Sequence, residues 1–150
     1  MAHTFTKILL HIVFGTKDRK PLLDVDTWQR LYQYMGGVLR ELDCSMIAVN
    51  GTGDHVHILA FFTQDKAVSD IMRVLKTNSS KWIHDSFPHN NTFAWQLGYG
   101  CFSVSESVRE DVCKYIASQD EHHRKMTFEE EFISFLKKYD VAYDPTLLWK

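Results

Sequence analysis

Apolar residues along the chain fall into two kinds of pattern: runs and alternations suited to strands, and three-to-four-residue spacings suited to helices. Phe5 to Lys17 (FTKILLHIVFGTK) is dense in branched and aromatic residues and predicts a long strand. Trp28, Leu31, Tyr32, Met35, Leu39 and Leu42 then follow the helical period, so a helix is expected after a cap at Asp24 or Asp26. Gly36-Gly37 within it costs about 1–2 kcal/mol of helix propensity, which points to a close backbone contact there. Cys44 to Asn50 and His55 to Thr63 read as the two strands of a hairpin, joined around the turn-forming quartet Gly51-Thr52-Gly53-Asp54. A second helix is expected from about Ala67 to Phe87, with Val68, Ile71, Leu75 and Trp82 inward and Arg73, Lys76 and Lys81 on the other side. Phe93 to Ser105 reads as a long extended segment, bent at Gly98 and Gly100. Two capping-box signatures, Ser107-Val-Arg-Glu110 and Thr127-Phe-Glu-Glu130, open a third helix to about His122 and a fourth over roughly Phe128 to Tyr139.

Taken in order these elements are β-α-β-β-α-β followed by two helices. That order predicts an α+β fold, a ferredoxin-like or RRM-like antiparallel sheet with helices on one face and a C-terminal helical addition. No Ser/Gly-rich linker or repeat interrupts the chain, so one domain over residues 1–150 is expected.

Composition narrows the class. With 45% hydrophobic and 24% charged residues the chain has an ordinary globular balance, which excludes wholesale disorder. Its longest uninterrupted apolar stretch, Ile58 to Phe62, is far short of the ~20 residues that span a bilayer, and no membrane association is expected. The opening MAHTFTK leads directly into the first strand without a signal-like segment. Cys44, Cys101 and Cys113 are odd in number and form no CxxC pair, which fits reduced cytoplasmic thiols better than a disulfide framework or a cysteine zinc site. Seventeen Lys and Arg against nineteen Asp and Glu give a net charge of −2, so a nucleic-acid surface would have to be a local patch.

The most informative local feature is His55-Val56-His57. Residues i and i+2 of a strand share a face about 6.5–7 Å apart, so both imidazoles can converge on one cation while Val56 enters the core. Taken alone, two surface histidines alternating on a half-exposed strand explain the spacing more readily. Leu59 occupies the place where a histidine-triad hydrolase needs a third histidine. No second His-x-Ser/Thr pair and no HExxH motif is present either. Any metal site is therefore incomplete without a ligand from elsewhere. On the third helix Tyr115 and Gln119 are spaced i, i+4 and share a face, whereas Tyr99 in the extended segment has no such partner. A half-buried amphipathic tyrosine beside a surface amide accounts for that pair unless a metal site lies opposite. His122 and His123 diverge by about 100° on a helix and read as solvent-facing.

Together, His55-Val-His57, then FAWQLGYGCFSVS over 93–105, then Tyr115-Ile-Ala-Ser-Gln119, resemble the small single-tyrosine transposases of bacterial insertion sequences. These are the His-hydrophobic-His (HUH) enzymes that move elements as single-stranded DNA. His11-Ile-Val-Phe-Gly-Thr-Lys-Asp-Arg-Lys-Pro21 and Leu75-Lys-Thr-Asn-Ser-Ser-Lys-Trp82 are similar to further stretches of that family. The resemblance implies that C-terminal helices carry the catalytic tyrosine. It also implies that His55, His57 and Gln119 bind Mg²⁺ or Mn²⁺, and that Tyr115 attacks the scissile phosphate to leave a 5′-phosphotyrosine link. It further implies a homodimer that binds a DNA hairpin, with the tyrosine helix of one subunit completing the other's site. Lys17, Arg19 and Lys20, with Arg73, Lys76 and Lys81, form the candidate DNA patch, although a solvated charged face explains the second group equally well. Two rival expectations stand beside a mobile-element transposase. One is a domesticated enzyme of the same chemistry acting on chromosomal repeat hairpins; the other is a non-catalytic nucleic-acid-binding module on the same scaffold.

Overall fold

The computed structural model describes residues 3–21, 23–119 and 125–150. Strand β1 (Ile8–Gly15) leads through a one-turn 3₁₀ segment (Lys17–Arg19) to helix α1 (Val25–Glu41). The hairpin β2 (Ser45–Thr52) and β3 (His55–Phe62) follows, then α2 (Val68–Ser86), β4 (Gly100–Ser103), α3 (Arg109–Ala117) and α4 (Phe128–Lys138). The four strands form one antiparallel sheet in the order β2-β3-β1-β4, the ferredoxin-like arrangement.

Period-two alternation sends the strand residues to two different cores. Ile12 and Phe14 of β1 and Val56, Ile58 and Ala60 of β3 pack with Leu31, Met35 and Leu39 of α1 and Ile71 and Leu75 of α2. On the opposite face Leu9 and Leu59 meet Ile116 of α3, while Val13 and Phe102 meet Phe128, Phe132 and Leu136 of α4. The C-terminal helices thus cover the face that α1 and α2 leave open. His11, His55 and His57 occupy that second face, in register with Leu9, Val13 and Leu59.

Capping sets the helix limits. Asp24 Oδ1 accepts from Thr27 N at 2.8 Å to start α1, and Thr127 Oγ1 accepts from Glu130 N at 3.2 Å to start α4. Both helices end in Schellman turns through a left-handed aspartate. Asp43 has φ 61° with Cys44 N bonded to Leu39 O, and Asp140 has φ 54° with Val141 N bonded to Leu136 O.

Three expectations differ. The Ser107 capping box does not form: Ser105 caps a 3₁₀ turn over Glu106–Val108, and α3 starts only at Arg109 with no side-chain cap. The helix closes at Ser118, whose N–H bonds to the Lys114 and Tyr115 carbonyls. The expected continuation to His122 lies outside the described residues. Within the stretch 93–105 only Gly100–Ser103 is strand. The preceding residues are pinned by single hydrogen bonds to other elements instead, with Gln96 N donating to Gly15 O at 2.9 Å, Gln96 Oε1 accepting from Gly15 N at 2.6 Å and Trp95 Nε1 donating to Ser79 Oγ at 3.0 Å. Gly36-Gly37 makes no close backbone contact, since a Cβ at Gly36 would stand at an ordinary 3.6 Å from Met46 and one at Gly37 would meet nothing. Two other glycines are required by contact: a side chain at Gly51 would strike the His55 carbonyl across the hairpin, and one at Gly15 would strike the Phe128 ring of α4.

Candidate active site

The β2–β3 turn orients the first histidine. His55 Nδ1 lies 2.7 Å from Asp54 Oδ1, which also accepts from Thr52 Oγ1 at 2.9 Å. This contact on Nδ1 turns Nε2 inward. There it meets Gln119 Oε1 at 3.2 Å. His57, two residues along β3, points the same way: its Nε2 lies 2.8 Å from Glu131 Oε1, and its Nδ1 lies 2.9 Å from His11 Nε2. Glu131 Oε1 is also 3.6 Å from His55 Nε2. His55, His57 and Gln119 are fully buried and Glu131 is 1% exposed.

Tyr115 projects from α3 into this cluster. Its hydroxyl donates to Glu131 Oε2, and its ring stands edge-on to His57 with centroids 5.8 Å apart. Burial, then the hydrogen bond to the carboxylate, push the phenol well above its ordinary range, so the resting side chain is the neutral hydroxyl. Burial, then the neighbouring His57, pull His11 down to about 3 against an opposing pull from Glu131, so His11 is neutral at physiological pH. A cavity of about 500 Å³ opens beside Tyr115 and His11, walled by Phe135 and Tyr139, with Lys138 and Asp111 at its polar edge.

Among the described residues, one ligand atom each from His55, His57 and Glu131 lie within 4.8 Å of one another. Two imidazole nitrogens, a carboxylate and the Gln119 carbonyl, all converging and all buried, form a donor set suited to a divalent cation. Asp54 and His11 supply the outer hydrogen bonds that fix ligand tautomers in such sites. The residues fit the implied ion.

His55, His57, Tyr115 and Gln119, singled out from the sequence, are thus brought together within one chain. Sequence reasoning missed His11 and Glu131. Both carried a signal. His11 sits at an inward position of the β1 alternation, and Glu131 falls on the Phe128–Phe132–Phe135 stripe where an apolar residue is expected. The basic candidates lie elsewhere. Arg19 pairs with Glu129 and stacks over Trp149 at 4.8 Å, while Lys17 and Lys20 are exposed. On α2, Arg73 is 3.9 Å from Asp70 and Lys81 is 2.6 Å from Asp85. Lys76 directs its ammonium at the carbonyls of Gln96, Leu97 and Gly98, at 2.6, 3.1 and 2.7 Å, and burial lowers it to about 8. That lysine holds the 96–98 segment in place, so a phosphate contact would cost it one of those bonds.

The four-stranded ferredoxin-like sheet thus presents paired histidines to a tyrosine and a glutamine held over one of its faces. Residues 4–119 match the family described as Transposase IS200 like, and the chain belongs to that family. It is similar to the ISDra2 transposase TnpA of Deinococcus radiodurans, 25% identical over 114 residues that cover 73% of this chain and 81% of that protein. Its fold is shared with the crystal structure of a candidate transposase from Deinococcus radiodurans R1, with TM-score 0.64, 23% identity, and coverage of 79% of this chain and 95% of that one. A REP-associated tyrosine transposase bound to a REP hairpin also shares it, with TM-score 0.61, 17% identity, and coverage of 96% and 91%. Membership makes the chain a DNA transposase, and no helix among the described residues is long and apolar enough to cross a membrane.

Proposed function

We propose that the chain cuts and rejoins single-stranded DNA by metal-dependent transesterification, with Tyr115 as nucleophile and His55, His57 and Gln119 as ligands of Mg²⁺ or Mn²⁺. One observation carries the reading: the Tyr115 hydroxyl, a group suited to form a covalent phosphodiester link, is held on the carboxylate that also faces both histidines. A bound divalent ion would supply charge stabilisation at the scissile phosphate. The chain's own residues do the rest. Asp54 and His11 hold the two imidazoles in orientation, α3 delivers Tyr115, and the cavity beside Tyr115 admits the strand with Lys138 as its cation. Attack by the Tyr115 oxygen leaves a 5′-phosphotyrosine and a free 3′-hydroxyl, and reversal rejoins the strand without a nucleotide cofactor.

The substrate we propose is a DNA hairpin with a single-stranded flank. The neighbour bound to a REP hairpin matches the fold over 96% of this chain, the C-terminal helices included, which favours a repeat hairpin as much as the end of a mobile element. Tyr115 lies beside the histidines of its own chain, which favours a site served by that chain's tyrosine over one completed by a second copy. The test is incubation with single-stranded DNA from the gene's own flanks plus Mn²⁺, followed by denaturing electrophoresis. A protein–DNA adduct mapping to Tyr115 is expected. No adduct, or one on another tyrosine, overturns the assignment.

A further inference from the structure

We propose that Glu131 bridges the two halves of this reaction: Oε1 joins the histidines as a ligand of the divalent ion, and Oε2 holds the Tyr115 hydroxyl and receives its proton. The inference rests on the transesterification proposed above. Glu131 lies beyond the stretch that matches the family, which ends at Gln119. It belongs to α4, which the β-α-β-β-α-β core does not include.

Its placement is that of a working group rather than a surface acid. A carboxylate on an apolar helical stripe is costly unless paired. Here Oε1 faces His57 Nε2 at 2.8 Å and His55 Nε2 at 3.6 Å, while Oε2 accepts from the Tyr115 hydroxyl. The flanking aromatics keep α4 in position. Phe128 stacks on His55 with centroids 4.2 Å apart and planes 10° from parallel, and Phe135 meets Tyr115 edge-on at 5.8 Å. Ion and nucleophile are thereby read by one side chain.

The step balances. As the Tyr115 oxygen bonds to phosphorus the P–O3′ bond breaks. The hydroxyl proton passes to Oε2, to which it is already directed, and the departing 3′-oxygen takes a proton from solvent. On rejoining, the 3′-hydroxyl attacks and releases its proton to solvent, and Glu131 returns the stored proton to Tyr115.

The experiment compares wild type, Glu131→Gln and Glu131→Asp in the full chain. Mn²⁺ affinity is read by titration calorimetry without DNA, and adduct formation by single-turnover kinetics at saturating Mn²⁺. The amide keeps shape and a hydrogen-bond acceptor but binds metal weakly and takes no proton. We expect Mn²⁺ affinity to fall about 10-fold or more, and the adduct rate about 100-fold or more. Glu131→Asp, which keeps the carboxylate, should recover part of both; it also serves if Glu131→Gln melts below the assay temperature. Loss of only one of the two properties, or adducts at or above the wild-type rate in Glu131→Gln, overturns the bridging role. A wild type without a Tyr115 adduct overturns the transesterification itself, a result seen before any variant is compared.

Discussion

His11 Nε2 and His57 Nδ1 stand 2.9 Å apart, joined diagonally across the β1–β3 pair. With Glu131 Oε1 accepting from His57 Nε2, the bridging proton sits on His11. A cation on His57 Nε2 would require the reverse, a proton on Nδ1 donated to His11. A neutral imidazole serves either direction, and a phenyl ring serves neither. His11→Phe should therefore lower Mn²⁺ affinity by about 10- to 100-fold, while His11→Gln retains most of it through an amide acceptor. Titration calorimetry checks this; equal affinity in His11→Phe and wild type would remove His11 from the site.

The same buried ring makes folding stability depend on pH. His11 is held down to about 3 in the fold, against an ordinary value near 6.5, by burial and by His57, with Glu131 opposing and Lys138 assisting. A base depressed on folding leaves the unfolded chain with the extra proton. Its contribution is complete above about pH 6.5 and is lost progressively as pH falls towards 3. Urea midpoints taken between pH 7.5 and 4.5 should fall for wild type, and more steeply than for His11→Phe. Parallel curves for the two proteins would contradict it.

Tyr115→Phe separates chemistry from packing. The ring stays, and its edge contacts with His57 and Phe135 persist, but buried Glu131 loses a donor. We expect a stability loss of about 1–3 kcal/mol, retained Mn²⁺ and hairpin binding, and no covalent adduct. Gln119→Ala should slow adduct formation and weaken Mn²⁺ binding without abolishing either, since the two histidines remain. Undiminished adduct in Tyr115→Phe would show that another group attacks the strand.

What the sequence made legible follows from the range of the forces involved. His55-Val-His57 was readable because strand alternation is local, and Asp24 and Thr127 because capping is settled within three residues. Ser107 failed by the same logic, as Ser105 competes for the turn two residues earlier. The stretch around Gly98 misled because its hydrogen-bond partners are remote: the Lys76 ammonium on α2, and Gly15 on β1 and Leu148 near the C-terminus, both bonded by the Gln96 amide. Glu131 and His11 share that difficulty. Each departs from an apolar pattern in its own element, yet only tertiary packing shows that both departures meet at His57.

Gly15 offers a structural test of α4's position. A methyl there would strike the Phe128 ring, which is itself stacked on His55. Gly15→Ala should displace the start of α4, with a stability cost of about 1–3 kcal/mol. If α4 carries a ligand, Mn²⁺ affinity should drop as well. A variant destabilised with affinity intact would separate α4 from the metal.

The arrangement of the nucleophile distinguishes a self-sufficient chain from one that exchanges tyrosines. Tyr115 lies on α3 and donates to Glu131 on α4 of the same chain, beside the histidines of its own β3. Mixing Tyr115→Phe protein with His57→Ala protein creates a complete site only if α3 crosses between subunits. In the arrangement seen here neither parent can repair the other: one lacks the oxygen, the other an imidazole, and no chain holds both. We expect the mixture, co-refolded to allow exchange, to give no more adduct than either protein alone. Adduct approaching a quarter of the wild-type level or more, carried on the tyrosine of the His57→Ala chain, would establish a site shared between two copies.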